Sequence, residues 1–302
     1  MNTIDLQIQT TASDGKHSPR ECVQMAGEQK LQVVAITDHD TVDGIIEALE
    51  AGTEFNVRVI PGIEISVEDH DTHILGFGID HRNSQLRAYC EGAKKSRIEG
   101  AKKMIENLQS AGFIVEWEDV LREAGGGVIA RPHISKAVLH RPENKDKLGD
   151  VSTVHDFIEA YLSNESPYYV HRAHISAQGA ISLIKLSGGA AIWSHPAIHF
   201  QNDYGGLENF LKELIQWGIS GAEVFTPSHT EDDVELLLSL AAKYNLLKTA
   251  GSDFHEKGMK KKFVPTENGV VKLHSAEFIG DYPTYGFSTE GIIEKLDEAI
   301  GK

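Results

Sequence analysis

Side chains able to bind cations or move protons recur where the apolar runs of this chain end. They are Gln7, Gln9, Asp14, Asp38, His39, Glu64, His73, His133, His195, Asp253 and His255. A lone histidine beside apolar residues is ordinarily a satisfied structural group. Several imidazoles and carboxylates at successive strand ends are another matter, because uncompensated buried charge is expensive. Mixed imidazole and carboxylate donors suit Zn, Mn or Fe(II). Too many ligands for one ion point to a two- or three-metal site, which activates water and clamps a phosphoryl or carbonyl group.

The elements that must carry these residues follow from hydrophobic periodicity. Asp5–Thr10 alternates polar and apolar, so Leu6 and Ile8 face one side of a strand and Gln7 and Gln9 the other. Ser18-Pro19-Arg20-Glu21 has the form of a helix start, with Ser18 as N-cap and Glu21 at the third position. Leu31–Thr37 is a β-branched strand running into Asp38-His39-Asp40, and Thr41 opens the next helix. Val57–Ile60 is a strand closed by Pro61-Gly62, and His73 begins another. This β-α-β-α-β rhythm with short loops predicts a parallel sheet or barrel, with chemistry at the strand ends.

From Ser84 the pattern turns helical, through Leu86–Gly112, Trp117–Ala124, the break at Gly125-Gly126-Gly127, His133–Leu139 and Val154–Leu162. We read 84–173 as a helical insertion or cap, and 1–83 with 174–302 as the barrel. In the second part the helix Ala177–Leu186 precedes the strand Ala190–Trp193, and the strand Gly221–Phe225 precedes the helix Glu231–Tyr244. The strand Leu246–Ala250 and a closing helix over Thr289–Ile300 complete it. A basic run, Lys260-Lys261-Lys262, lies in the tail.

The chain has 302 residues and a net charge of −16. That charge argues against a generally basic nucleic-acid surface. A nucleotide substrate remains compatible with it, since metal ions supply positive charge locally. No apolar run is long enough to span a bilayer, and the N-terminus has no basic stretch leading into an apolar core. Cys22 and Cys90 lack metal or redox spacing. A cytoplasmic protein with reduced thiols is expected.

The motifs D-x-x-x-x-T-x-x-S-D-G, I-T-D-H-D-T, P-G-I-E-I-S, H-I-L-G-F-G-I-D, A-R-P-H-I, W-S-H-P and G-S-D-F-H occur in this order. Together they resemble the PHP (polymerase and histidinol phosphatase) family, in its branch of stand-alone nucleotide phosphoesterases. The resemblance implies an α/β fold, a distorted (β/α)7 barrel with a helical insertion, and two or three divalent ions (Mn, Zn, Fe or Mg). It implies that Glu64 bridges the first two metals and Asp253 completes the first site. His73 and His133 hold the second metal, and Asp14, His39 and His255 the third. Arg131 and His195 hold the substrate phosphate, and Asp38 orients His39 or another ligand. The bland reading of Arg131 is a surface or ion-pairing residue, but its place two residues before His133 favours phosphate binding. His229, at a helix start after a strand, is a further candidate to line the pocket.

The chain departs from the family at its opening strand, where His-x-His is replaced by Gln7-Ile8-Gln9. A carboxamide oxygen is a weaker ligand for Zn or Fe than imidazole. The first metal is therefore expected to bind weakly, to be exchanged for Mg or Mn, or to be absent. The leading expectation is a metal-dependent phosphoesterase acting on nucleotides or short oligonucleotides, such as nucleoside 3′,5′-bisphosphates or RNA 5′ ends, and not on long duplexes. The alternatives are a catalytically silent binding protein that has lost the first metal, or a barrel amidohydrolase.

Overall fold

The computed structural model describes residues 2–125, 128–171, 174–200, 203–258, 262–266, 269–273 and 276–301. Gly126, Gly127, Lys260 and Lys261, from the glycine break and the basic run, lie outside the described residues. Seven strands form one sheet in sequential order. They are β1 (Ile4–Ile8), β2 (Val33–Ile36), β3 (Arg58–Ser66), β4 (His73–Phe77), β5 (Ala190–Trp193), β6 (Gly221–Phe225) and β7 (Leu247–Ala250). The sheet curls towards closure. Ile8 bridges Phe254 in parallel fashion, and the Gln9 N–H donates to the Phe254 carbonyl at 2.9 Å. The chain is thus a distorted, nearly closed seven-stranded α/β barrel.

Local sequence explains most of the element boundaries. Ser18 and Glu21 form a reciprocal capping box ahead of the helix Pro19–Glu28. Thr230 and Asp233 do the same for the helix Glu231–Tyr244. The helix predicted from Thr41 instead begins at Ile45. Asp40 has a φ of 55°, and the Thr41 hydroxyl accepts the Asp43 N–H at 3.2 Å, so a turn comes first. Pro61-Gly62 does not end its strand: β3 continues through it to Ser66. Gly62 permits this passage, since a Cβ there would sit 2.8 Å from the Ile36 carbonyl oxygen.

The other difference is in strand direction. β4 runs antiparallel to both β3 and β5. Between β3 and β4 the chain reverses through a single turn, Asp69–Asp71, with His70 and Asp71 at φ of 53° and 54°. A parallel return needs a crossover of about a dozen residues or more, and this link is too short for one.

The chain divides into two compact units, Met1–Cys90 with His174–Lys302, and Glu91–Ala173. The helix Ser84–Ser110 starts inside the first unit, where Leu86 and Cys90 join the barrel core. That core places Leu6, Ile8, Ile36, Ile63 and Ile65 with Trp193, Phe225 and Phe254. The second unit has its own core around Leu108, Phe113, Val120, Ile134, Val138 and Phe157. Buried Asn144 ties it together: its amide donates to the Ile114 and Val138 carbonyls and accepts the Ile114 N–H. Among the described residues no helix is long and apolar enough to cross a membrane.

Gly251, just after β7, shows how tightly the interior is closed. A Cβ there would meet the Gln7 Cβ at 2.5 Å and the Gln7 backbone nitrogen at 2.7 Å. Gly251→Ala is expected to cost about 1–3 kcal/mol of stability by overpacking. Urea unfolding measures it, and an unchanged midpoint refutes it.

Candidate metal centre

The centre is built on Glu64, fully buried in β3. The Glu64 N–H donates to the Asp38 carbonyl at 3.2 Å and the Asp40 N–H to the Glu64 carbonyl at 2.9 Å. This bridge lays His39 beside Glu64. In the β3–β4 ladder Glu64 faces Leu75, so His73 is its diagonal neighbour on the same face. The result is His73 Nδ1 at 2.9 Å from Glu64 Oε1 and His39 Nδ1 at 3.8 Å from Oε2. His195 Nε2 lies 3.2 Å from Oε1. The Ser194 hydroxyl donates to Oε1 at 2.9 Å.

Gln7 and Gln9 face the same carboxylate. Gln7 Nε2 lies 3.2 Å from both Glu64 oxygens, and Gln9 Nε2 2.6 Å from Oε2. The alternation of β1 thus holds, but its polar face is completely buried, as are Asp5, Gln7 and Gln9.

A second group comprises Asp14, His39 and His255. The Gly15 N–H donates to the Thr10 carbonyl and the Lys16 N–H to the His255 carbonyl, which pins the turn carrying Asp14. The His255 Nδ1–H donates to the Asp253 carbonyl at 2.8 Å, which directs Nε2 to within 3.7 Å of Asp14 Oδ1. Asp253, at φ 50°, places its Oδ1 3.8 Å from His255 Nδ1.

Burial opposes charge on Glu64, yet His39, His73 and the His195 contact hold its carboxyl well below the usual range. Burial likewise opposes charge on His255, but Asp253, Asp14 and Glu64 push it up to about 9. His73 is raised against burial by Glu64. Burial raises Asp253 and Asp38, and drives Glu223 well above the carboxylate range.

Ligand bonds near ~2.1 Å leave the ligand atoms of one ion roughly 3–4 Å apart. The His39–Glu64 and Asp14–His255 separations fall in that window. His39 Nδ1 is buried without a hydrogen-bond partner, as a ligand atom awaiting a cation is. The imidazole side of Glu64 and the Asp14 group therefore fit divalent ions. Gln7 and Gln9 instead present N–H donors to Glu64, with the Gln7 carbonyl oxygen buried and unpartnered.

Several expected residues stand elsewhere. Asp38 takes the Thr10 N–H at 2.7 Å and the Thr10 and Ser13 hydroxyls at 2.8 and 2.5 Å, so it steadies the turn that carries Asp14, another expected ligand, rather than His39. His229 is no pocket lining. It is fully buried; its Nδ1–H donates to the Val224 carbonyl at 2.9 Å, and its Nε2 faces the Ala197 N–H at 3.4 Å. Burial lowers its pKa to about 4, as befits a neutral strut between two loops. His195, placed on the phosphate from sequence, has Nε2 on Glu64, while its Nδ1 is buried and unpartnered. Arg131 and His133 belong to the helical unit. Arg131 donates to the Leu162 carbonyl and the Asn164 side chain and lies over the Tyr169 ring, and His133 Nδ1 accepts the Ala130 N–H.

Glu223, Asp5 and Ser194 escaped sequence analysis. Glu223 accepts the His195 N–H at 3.0 Å and so steadies a backbone whose φ is 29°. Asp5 accepts the Gln7, Ser252 and Gly280 N–H groups, and burial raises it to about 6. The available signal was a carboxylate inside an apolar strand, Glu223 within Gly221–Phe225 and Asp5 in phase with Gln7.

The PHP domain family profile matches residues 5–221, well over half of the chain. The chain belongs to the PHP domain family. It is 29% identical to a 3′,5′-nucleoside bisphosphate phosphatase of Chromobacterium violaceum, over 85% of this chain and 89% of that protein. It is 30% identical to the 5′-3′ exoribonuclease Rnm of Salmonella typhimurium, over 83% and 85%. Two solved structures superpose over nearly the whole chain. One is described as an amidohydrolase from Chromobacterium violaceum with bound sulfate and no metal. It has a TM-score of 0.77 and 26% identity, covering 98% of this chain and 96% of that one. The other, from Bifidobacterium adolescentis, is assigned as a metal-dependent phosphoesterase. It has a TM-score of 0.74 and 28% identity, covering 99% and 98%. This kinship sets the chain among hydrolases of phosphate esters and lends no support to a catalytically silent protein.

The raised pKa of His255 makes the centre pH-dependent. An ion can take Nε2 only after its proton leaves. Metal affinity at the Asp14–His39–His255 group should therefore rise towards tenfold per pH unit from pH 7 up to about 9 and then flatten. In the apoprotein the sign is opposite. The stabilisation from charged His255 is full below its unfolded value of ~6.5 and is lost as pH rises through about 9. Calorimetric titration and apoprotein melting across this range, against His255→Gln, test both; equal slopes in the two proteins refute the assignment.

Proposed function

We propose that this protein is a metal-dependent phosphoesterase that hydrolyses phosphate esters of nucleotides or short oligonucleotides, with nucleoside 3′,5′-bisphosphates and RNA 5′ ends as first candidates. The observation that carries the proposal is the pair of ligand groups, His39–Glu64–His73 and Asp14–His39–His255, gathered at the strand ends of one barrel. Bound divalent ions supply Lewis acidity towards a phosphoryl oxygen and lower the pKa of water. The chain's own part is to hold them: Glu64 and His73 on one side, Asp14 and His255 on the other, with His39 between. A neutral imidazole has one lone pair, so His39 serves one ion at a time. Asp253 adds a carboxylate beside His255, and Glu223 and His229 fix the loop that carries His195.

The net charge of −16 favours short substrates over long polyanions. On the resemblance alone, we extend the proposal to Arg131 as a phosphate ligand and His133 as a metal ligand.

Phosphate release from a nucleoside 3′,5′-bisphosphate by manganese-loaded protein tests the reading. Glu64→Ala and His73→Ala should each lower kcat/KM about a thousandfold, ~4 kcal/mol. Arg131→Ala should raise KM about tenfold with the metal content unchanged, as for a lost charged hydrogen bond of about 1.5 kcal/mol. No hydrolysis by the loaded wild-type protein refutes the function, and an unchanged KM removes Arg131 from it.

A further inference from the structure

We infer that Gln7 and Gln9 take the place of a metal ion: their amide N–H groups neutralise one side of Glu64, and the chain holds at most two divalent ions. The inference rests on the metal-dependent reading above and concerns which of its sites are real in this sequence.

Glu64 is fully buried, so each side of its carboxylate must meet a donor or a cation. His39 and His73 approach it through Nδ1, at 3.8 Å from Oε2 and 2.9 Å from Oε1. The amides reach the same two oxygens, with Gln9 Nε2 at 2.6 Å from Oε2 and Gln7 Nε2 at 3.2 Å from both. An amide nitrogen has no lone pair to give a metal, and only the carbonyl oxygen ligates. Turning either amide over would press that oxygen against the carboxylate oxygens at those same short distances, acceptor against acceptor.

The Gln7 nitrogen is also held by Ser194 Oγ, at 3.0 Å. Its carbonyl oxygen, on the opposite end of the amide plane, is buried and makes no hydrogen bond. Gly251 packs against the Gln7 Cβ and backbone, where an added Cβ would fall 2.5 Å from the Gln7 Cβ. The space an ion would need beside Glu64 is thus filled by N–H groups that already do its electrostatic work.

Counting ions per chain tests this without reference to activity. Protein loaded with Mn or Zn, freed of loosely bound metal and analysed by mass spectrometry, should carry no more than two ions. The Gln7→His, Gln9→His double variant should carry one more. Gln7→Glu, which changes one atom and preserves the shape, should also gain an ion. Its apoprotein should melt below the wild type and recover on metal addition, since two carboxylates then face each other. Three ions in the wild type, or no gain in a folded variant, overturn the inference. If the double variant does not fold, Gln7→Glu decides alone. Loaded proteins that bind these ions but release no phosphate refute the phosphoesterase reading and leave the ion count standing.

Discussion

A carboxylate with no water around it must find its charge compensation inside the protein, and Glu64 sets that demand for the whole barrel. Its two oxygens gather Gln7, Gln9, His73, Ser194 and His195, with His39 just beyond hydrogen-bond reach. These groups come from β1, β4, the end of β2 and the loop after β5. No short peptide could assemble them; the curled sheet brings them to one point. The charge held on Glu64 adds to the burial that disfavours charge on its neighbours Glu223 and Asp253. Asp5, Asp38, Glu223 and Asp253 are all pushed upward by burial.

The supporting residues show how such a centre is kept in place. Asp38 spends its oxygens on the turn that presents Asp14, Glu223 holds the backbone of His195, and His229 joins the β6 and β5 loops. None of these needs to touch a substrate. Each removes freedom from a side chain or backbone segment beside the centre, which is how outer partners define its geometry. Glycine completes the arrangement where strands and side chains crowd, at Gly62 and Gly251.

The helical unit is organised by different physics. Its core is aromatic and aliphatic, with Phe113 and Phe157 edge to face at 5.7 Å, and its polar anchors are Asn144 and the Arg141–Asp119 ion pair. Arg131 and His133 ride on the first turn of one of its helices, the helix Arg131–Leu139. The barrel carries a cluster of buried charge beside its own apolar core.

Much of this was legible in the chain. The helix capped by Ser18 and Glu21 announces itself because the capping partners are three residues apart. The strands Ala190–Trp193 and Gly221–Phe225 read correctly because short apolar runs are bounded by glycine or polar residues. The histidines and carboxylates at strand ends, and the ordered motifs, sufficed for the barrel and the family. What sequence could not fix was whatever depends on a partner far along the chain. The antiparallel course of β4 depends on a reversal at His70 and Asp71 in a conformation that side-chain type does not prescribe. The roles of Asp38 and His229 depend on Thr10, Ser13, Val224 and Ala197 occupying their hydrogen-bonding atoms. For Gln7 and Gln9, sequence gave the missing imidazoles, but only the folded barrel aims their N–H groups at Glu64, because amide direction follows from the charge it meets.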